Sequence, residues 1–135
     1  MSSLQYFDYE GFGERSKQNL NYSQAVRLPN TIHISGQGGW DRLTDAFPTS
    51  LDAEIDQAFA NVEHALQQAG GTGLQQVYKL QIYITGDMNA YFEGLTRHLK
   101  GKGFEFHGPL LTVVQVKGLF RDMRIEIEAE AWVGL

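Results

Sequence analysis

One segment near the C-terminus, Leu110–Val116, limits the folds open to this chain, because its sequence predicts a strand with apolar side chains on both faces. Only Thr112 and Gln115 interrupt the apolar run. A strand of this kind is typical of a sheet that is covered on both sides. The rest of the chain must therefore supply two covering layers, or a second chain must supply one.

The clearest helix is predicted to follow Pro48, with Thr49 or Ser50 as its N-cap. Gly70-Gly71 would end it, since glycine adopts the left-handed conformation without penalty. Apolar residues recur at spacings of three and four and form one stripe: Leu51, Ile55, Ala58, Phe59, Val62, Ala65, Leu66 and Ala69.

A second helix is predicted to begin after Asp87, its N-cap, and to end at Gly101 and Gly103. Its apolar stripe is shorter and consists of Met88, Tyr91, Phe92, Leu95 and Leu99. Two such helices can cover only one face of a sheet.

Alternating apolar residues predict the other strands. A weak first strand covers residues 4–9, and Pro29-Asn30 joins residues 25–28 and 31–35 in a hairpin. Residues 77–84 place Tyr78, Leu80, Ile82 and Ile84 on one face, and residues 124–132 place Ile125, Ile127, Ala129 and Ala131 on one face. The resulting order, β-β-β-α-β-α-β-β, predicts a single α+β domain over residues 1–135, with a mixed sheet and two helices packed on one face. Another copy of the chain would then cover the second face.

Composition narrows the function. The net charge of −5 disfavours a nucleic-acid partner, because basic residues supply most non-specific affinity for phosphates. No apolar run approaches the ~20 residues that span a bilayer, which argues against a membrane protein. Met1–Glu10 lacks the basic and apolar regions of a signal peptide, so a cytoplasmic location is expected. The chain has no Cys, its His residues lack metal-ligand spacing, and Gly36-Gln37-Gly38-Gly39 lacks the Lys of a P-loop. We therefore expect neither a metal nor a cofactor.

Six stretches in order resemble the Rid/YjgF family, the reactive intermediate deaminases. Their sequences are Tyr22-Ser23-Gln24, Ile34-Ser35-Gly36-Gln37-Gly38-Gly39-Trp40-Asp41, Ala69-Gly70-Gly71, Val77 to Ile84, Gly108 to Val116, and Ile125-Glu126-Ile127-Glu128-Ala129. The resemblance implies a chorismate-mutase-like subunit in a homotrimer, with small-molecule clefts between adjacent subunits. This implication agrees with the uncovered sheet face.

The resemblance also implies site residues. Tyr22 matches a Tyr that lines the family cleft, and Ser35 with Gly36 matches a ligand-contacting Ser-Gly pair. Glu126 matches the Glu proposed to hold or activate the attacking water. A carboxylate shielded in a cleft suits such acid-base work.

One position departs from the family pattern. Deaminating members carry an Arg that grips the substrate carboxylate, and here Pro109-Leu110-Leu111-Thr112 places Leu111 there. The family's helix Asn is also missing, since that region reads Phe92-Glu93-Gly94-Leu95. A carboxylate beside Leu111 would lose hydration without gaining a partner. We therefore expect 2-imino acids to be poor substrates.

Each candidate residue has an ordinary structural alternative. Glu126 could be a solvated surface carboxylate, and Tyr22 a packed aromatic. His107, just before Gly108-Pro109, could shuttle a proton or lie in solvent. Trp40 could be a lid over the cleft or a packing residue.

Three functions follow from these residues. The first is an enzyme that adds water to, or tautomerises, an imine, enamine or similar reactive molecule, with Glu126 and Tyr22 catalytic. Ser35, Gly36, Leu111, His107 and Trp40 would contact the substrate. The second is a non-catalytic binding or regulatory trimer. The third, a ribonuclease, is disfavoured by the acidic balance.

Overall fold

The computed structural model describes residues 3–134. Within them the chain forms six strands: β1 Gln5–Phe7, β2 Ala25–Arg27, β3 Thr31–Gln37, β4 Val77–Thr85, β5 Leu110–Val116 and β6 Ile125–Trp132. Three α-helices accompany the strands: α1 Phe12–Leu20, α2 Leu51–Gln68 and α3 Phe92–Leu99. Short 3₁₀ turns precede β4 and α3, at Leu74–Gln76 and Met88–Tyr91.

The strands form one mixed sheet in the order β1-β2-β3-β6-β4-β5. The predicted hairpin is confirmed, because β2 pairs antiparallel with β3 and Leu28 N–H donates to Thr31 O (2.8 Å) across the turn. Only β4 and β5 run parallel, and α3 lies between them in the chain. The α+β fold class is therefore confirmed.

Helix α2 supplies most of the core's helical side, as its apolar stripe predicts. Ser50 is the N-cap, and its hydroxyl accepts a hydrogen bond from Ala53 N–H (3.1 Å). Ile55, Phe59 and Val62 are buried in the same core as Ile127 of β6. Burying such side chains contributes roughly 1.5–3 kcal/mol each.

The expectation of only two helices is wrong, because α1 is a third. Its segment shows no extended apolar stripe, and its packing comes from contacts distant in sequence. The Phe12 ring stacks on Trp40, with ring centroids 3.7 Å apart. Arg15 Nη2 lies 2.5 Å from Asp45 Oδ1. Tertiary contacts therefore fix a helix that local periodicity does not indicate.

Two predicted faces also need correction. Tyr78 does not share the buried face of β4, because the pairing with β6 is irregular between Val77 and Lys79. Its hydroxyl instead donates to Glu130 Oε1 (2.8 Å). Phe92 does not belong to the buried stripe of α3 and is 72% exposed. The 3₁₀ turn before it changes the phase of the side chains.

Strand β5 forms an edge of the sheet, and its apolar side chains are left open. Leu110, Leu111 and Val114 are all exposed in the single chain. Leu111 pairs with Leu80, so it points toward the helix-covered face at the outer edge. Among residues 3–134 no helix is long and apolar enough to cross a bilayer.

Candidate functional site

A cavity of about 390 Å³ lies where α1, the loop after β3 and the start of β6 meet. Three predicted site residues line it: Tyr22, Trp40 and Glu126. Its other walls are Phe12, Arg15, Ser16, Asn19, Leu20, Asp45, Phe47, Phe120, Arg121 and Met123. Seven of the thirteen lining residues are aromatic or aliphatic and six are polar or charged, so the cavity offers both apolar contact and hydrogen-bonding groups.

Glu126 is the half-buried carboxylate of this cavity. Burial raises the pKa of its carboxyl group, and the charge of Glu128 on the same strand raises that pKa further. The Tyr83 hydroxyl lies close by but donates to Glu128 Oε1 (2.5 Å). Glu126 therefore holds a proton more readily than a surface glutamate, which suits proton transfer to or from a bound molecule.

Gly36 makes room for that carboxylate. A methyl group at position 36 would lie 2.6 Å from Glu126 Cδ, closer than atoms can approach without movement. The pairing of β3 with β6 is also irregular between Ile34 and Gln37. The local irregularity of β3 and the absence of a side chain at Gly36 together leave the space that Glu126 fills.

Tyr22 is half-buried and borders two concave surfaces. It lines the Glu126 cavity and also a groove of about 620 Å³ along β1–β3, which Ser35 lines. The Ser35 hydroxyl donates to Ser23 O (2.7 Å), so it holds the Tyr22–Gln24 segment against β3. Tyr22 is thus a direct neighbour of the cavity, while Ser35 lies on the adjoining surface.

Trp40 is a packed wall of the cavity, with 2% of its surface exposed. Its Nε1–H donates to Tyr9 Oη (2.9 Å), and that hydroxyl donates to Gln37 Oε1 (2.8 Å). Gln37 in turn donates to Gln24 Oε1 (2.8 Å). These hydrogen bonds and the stacking on Phe12 hold Trp40 in the core, so it is a packing residue of the cavity wall and not a lid.

Leu111 and His107 lie away from the cavity within one chain. Strand β5 is separated from β6 by β4 in the sheet order. His107 is half-buried, and its Nε2 lies 2.7 Å from Val77 O, which fits donation from a protonated Nε2. Neither residue lines the cavity in the single chain.

Several residues of the cavity carried no signal in the sequence. Arg15, Ser16 and Asn19 come from the unpredicted helix α1. Phe120 and Arg121 come from the loop between β5 and β6, and the Arg121 guanidinium lies 5.1 Å from the Phe120 ring centroid. Only the tertiary structure brings these side chains beside Glu126.

An ion pair between a buried carboxylate and a partly exposed Arg anchors the start of β6, two residues before Glu126. Glu54 of α2 is almost fully buried, and its Oε1 lies 2.6 Å from Arg124 Nε. Its Oε2 accepts from Arg124 N–H (2.8 Å). The helix therefore fixes both the backbone and the side chain of Arg124, and with them the entry to the strand that carries Glu126.

Among residues 3–134, no group of three or more His, Asp or Glu side chains is placed to hold a metal ion.

The sequence is similar to those of characterised proteins. The chain is 35% identical over 114 residues to a 2-iminobutanoate/2-iminopropanoate deaminase of Mus musculus, covering 84% of this chain and 82% of the mouse protein. It is 33% identical over 109 residues to a protein of the same name from Dermatophagoides farinae, covering 80% of this chain and 82% of the other.

Solved structures give the same result. A crystal structure of RidA from an Antarctic Psychrobacter has a TM-score of 0.76 and 29% identity, covering 98% of this chain and all of that one. A Mycobacterium tuberculosis member of the YjgF/YER057c/UK114 family has a TM-score of 0.78 and 27% identity, covering 97% of this chain and all of that one. The family model described as endoribonuclease L-PSP matches residues 13–133. The chain therefore belongs to this family of proteins, the Rid/YjgF family.

Proposed function

We propose that the protein binds a small reactive metabolite of the imine or enamine type and adds water to it or tautomerises it. The observation that carries this proposal is the half-buried Glu126. Burial raises the pKa of its carboxyl group, and it shares a cavity with aromatic, aliphatic and polar side chains. A Rid-type function in general is also supported by relatives named as deaminases of 2-imino acids.

Glu126 acts as the proton-transfer group in this proposal. For hydrolysis, its carboxylate takes a proton from water while the water oxygen bonds to the imine carbon. The imine nitrogen gains that proton, which gives a carbinolamine. Glu126 then moves the hydroxyl proton of this adduct to the nitrogen, the C–N bond breaks, and ammonia and a carbonyl product are released. Tyr22 orients the ligand through its hydroxyl, while Gly36 leaves the space for Glu126.

The ligand differs from the small 2-imino acids in this proposal. Leu111 stands where the deaminating members carry an Arg, and losing one partner of a desolvated charge pair typically costs ~2–5 kcal/mol. An apolar group beside Leu111 is favoured over a carboxylate there. The preferred ligands are therefore those without a carboxylate next to the reacting carbon.

The working unit in the proposal is a cytoplasmic homotrimer that binds neither nucleic acid nor membranes. The exposed apolar side chains of β5 support assembly, since they offer an uncovered surface. Leu111 and His107 do not line the cavity of Glu126 in one chain. In the proposed trimer, they would contribute to a cleft shared with Glu126 of a neighbouring subunit.

A second candidate is binding without chemistry, in a regulatory trimer. The Ser35 hydroxyl favours this candidate because its hydrogen is donated to Ser23 O, so it can accept a hydrogen bond from a ligand but has no proton to give to a reaction. The absence of an Arg at position 111 favours it as well.

One experiment separates the two candidates. Benzaldimine would be generated from benzylamine by a flavin-dependent amine oxidase, and 2-iminopropanoate from alanine by an amino-acid oxidase. The rate of ammonia release would be measured with and without the protein. Acceleration that is larger for benzaldimine supports the proposed enzyme. Binding of a stable aromatic ligand without acceleration of either reaction supports the regulatory trimer.

A further inference from the structure

We infer that Arg121 binds an anionic group of the ligand, in place of the cation that position 111 lacks. The ligand class is then an apolar imine, enamine or related molecule with an anionic group that is not attached to the reacting carbon. This inference rests on the proposed function only for the reactive group, since anion binding can be measured separately.

Of the two cations that line the cavity, Arg15 is paired with a carboxylate and Arg121 is not. The cavity lining holds two guanidinium groups, Arg15 and Arg121, and two carboxylates, Asp45 and Glu126. Arg15 is engaged with Asp45 through two hydrogen bonds, of 2.5 and 3.2 Å. It also donates to the carbonyl oxygens of Arg42 and Leu43. Its Nε and Nη2 donors are therefore engaged within the protein, and its charge is balanced by Asp45.

Arg121 differs from Arg15 in having no acidic partner. Across residues 3–134, no carboxylate forms an ion pair with it. Its guanidinium lies 5.1 Å from the Phe120 ring centroid, and Phe120 also lines the cavity. Arg121 is exposed, and a planar guanidinium group without a counter-charge can bind a carboxylate or phosphate through two hydrogen bonds.

The backbone at Arg121 is also unusual. Its φ of +54° lies in the left-handed region, which side chains other than glycine enter at a cost of roughly 1 kcal/mol or more. Its neighbour Met123 is buried against the core and lines the cavity. The loop thus takes a strained conformation that places Phe120, Arg121 and Met123 on the same cavity.

Apolar walls complete the argument for the ligand class. Phe12, Phe47 and Met123 offer contact for a hydrocarbon body. Ser16 and Asn19 of α1 add neutral hydrogen-bonding groups. An amphiphilic anion matches this combination, whereas a small and wholly polar anion would leave the aromatic walls unfilled.

The test uses the unreactive probes 3-phenylpropanoate and 3-phenylpropanamide, which have the same body and differ in charge. Calorimetric titration of the full-length protein, in its solution assembly, would give both affinities. We expect the anion to bind about tenfold more tightly than the amide, as for a hydrogen-bonded charge pair. Arg121→Gln should remove that difference and leave amide binding unchanged.

Lys117→Gln is the matched control, because it removes one positive charge from an exposed position of the same loop. It should leave both affinities unchanged. Equal loss of anion binding in Lys117→Gln would assign the effect to general charge and overturn the inference. Equal affinity of the two probes for the wild type, or no binding of the anion at millimolar concentration, would also overturn it. A positive result without turnover of any imine would retain the anion site and reject the proposed enzyme.

Discussion

The carboxyl group of Glu126 occupies the space that a side chain at Gly36 would need. Because a methyl group there would lie 2.6 Å from Glu126 Cδ, these two residues of neighbouring strands specify each other. The two residues of β3 therefore have structural roles: the Ser35 hydroxyl donates to the Ser23 backbone, and Gly36 leaves the space that the Glu126 carboxylate occupies.

Gly36→Ala should displace the Glu126 carboxylate and lower kcat/KM for an imine substrate at least about tenfold, since small misplacements of a catalytic group are costly. The overpacking should also lower the free energy of unfolding by about 1–3 kcal/mol. Ammonia-release kinetics and urea unfolding would measure the two effects. Gly118→Ala is the control, because no heavy atom lies within 4 Å of the methyl group that it adds. Equal behaviour of the two variants would contradict this account.

The pH dependence of stability follows from the raised pKa of Glu126. Burial first, and then Glu128, disfavour the ionised carboxylate in the folded state. Below the unfolded-state pKa both states hold the proton, and Glu126 has no pH-dependent effect. As the pH rises through the raised folded-state pKa, ionisation destabilises the fold relative to a neutral residue.

Glu126→Gln should therefore raise the free energy of unfolding more at pH 8 than at pH 4. Urea unfolding at the two pH values would measure the difference between wild type and variant. A stabilisation that is independent of pH would show that Glu126 does not carry the shift.

The Glu54–Arg124 pair should be a main support of β6. Glu54→Gln would leave the Arg124 guanidinium without its counter-charge. Because that side chain is 35% exposed and keeps its bonds to Pro48 O and Thr49 O, we expect a loss of about 1–3 kcal/mol. Chemical unfolding would give the loss. Glu93→Gln on α3 changes the same charge at an exposed position, and we expect an effect within about 0.5 kcal/mol. A loss of less than about 1 kcal/mol for Glu54→Gln would show that the pair contributes little.

If the proposed interpretation of position 111 is right, Leu111→Arg should introduce a cation that can bind a substrate carboxylate. We expect the variant to accelerate hydrolysis of 2-iminopropanoate above the wild type, while benzaldimine hydrolysis falls or stays constant. The measurement is the rate of ammonia release from both imines. If the wild type already hydrolyses 2-iminopropanoate faster than benzaldimine, another group binds the carboxylate and the interpretation of Leu111 is wrong.

The sequence predicted those parts of the fold in which a local pattern repeats. Helix α2 and strand β6 have long periodic stripes, and their buried faces match the prediction. Helix α1 has no such stripe, because Phe12 and Arg15 are held by Trp40 and Asp45, which lie far along the chain.

The candidate site divides in the same way. Tyr22, Trp40 and Glu126 could be selected from a resemblance of motifs, and all three line one cavity. Arg121 and Asn19 could not, because a single exposed Arg or Asn carries no local signal. Leu111 and His107 do not line the cavity in the single chain. A role for them there would require the assembly proposed above, whose geometry the pattern of one chain does not specify.

The most direct test of the central claim compares Glu126→Gln with Glu128→Gln. Both variants remove one carboxylate from the same strand, but only Glu126 lines the cavity. For benzaldimine hydrolysis, we expect Glu126→Gln to lower kcat/KM by about 100- to 10,000-fold, as for loss of an acid-base group. Glu128→Gln should keep most of the activity. Because the charge of Glu128 helps to raise the pKa of Glu126, its removal should shift the acidic limb of the pH–rate profile to lower pH. Both should retain the wild-type oligomeric mass. Undiminished activity in a folded Glu126→Gln would contradict the account.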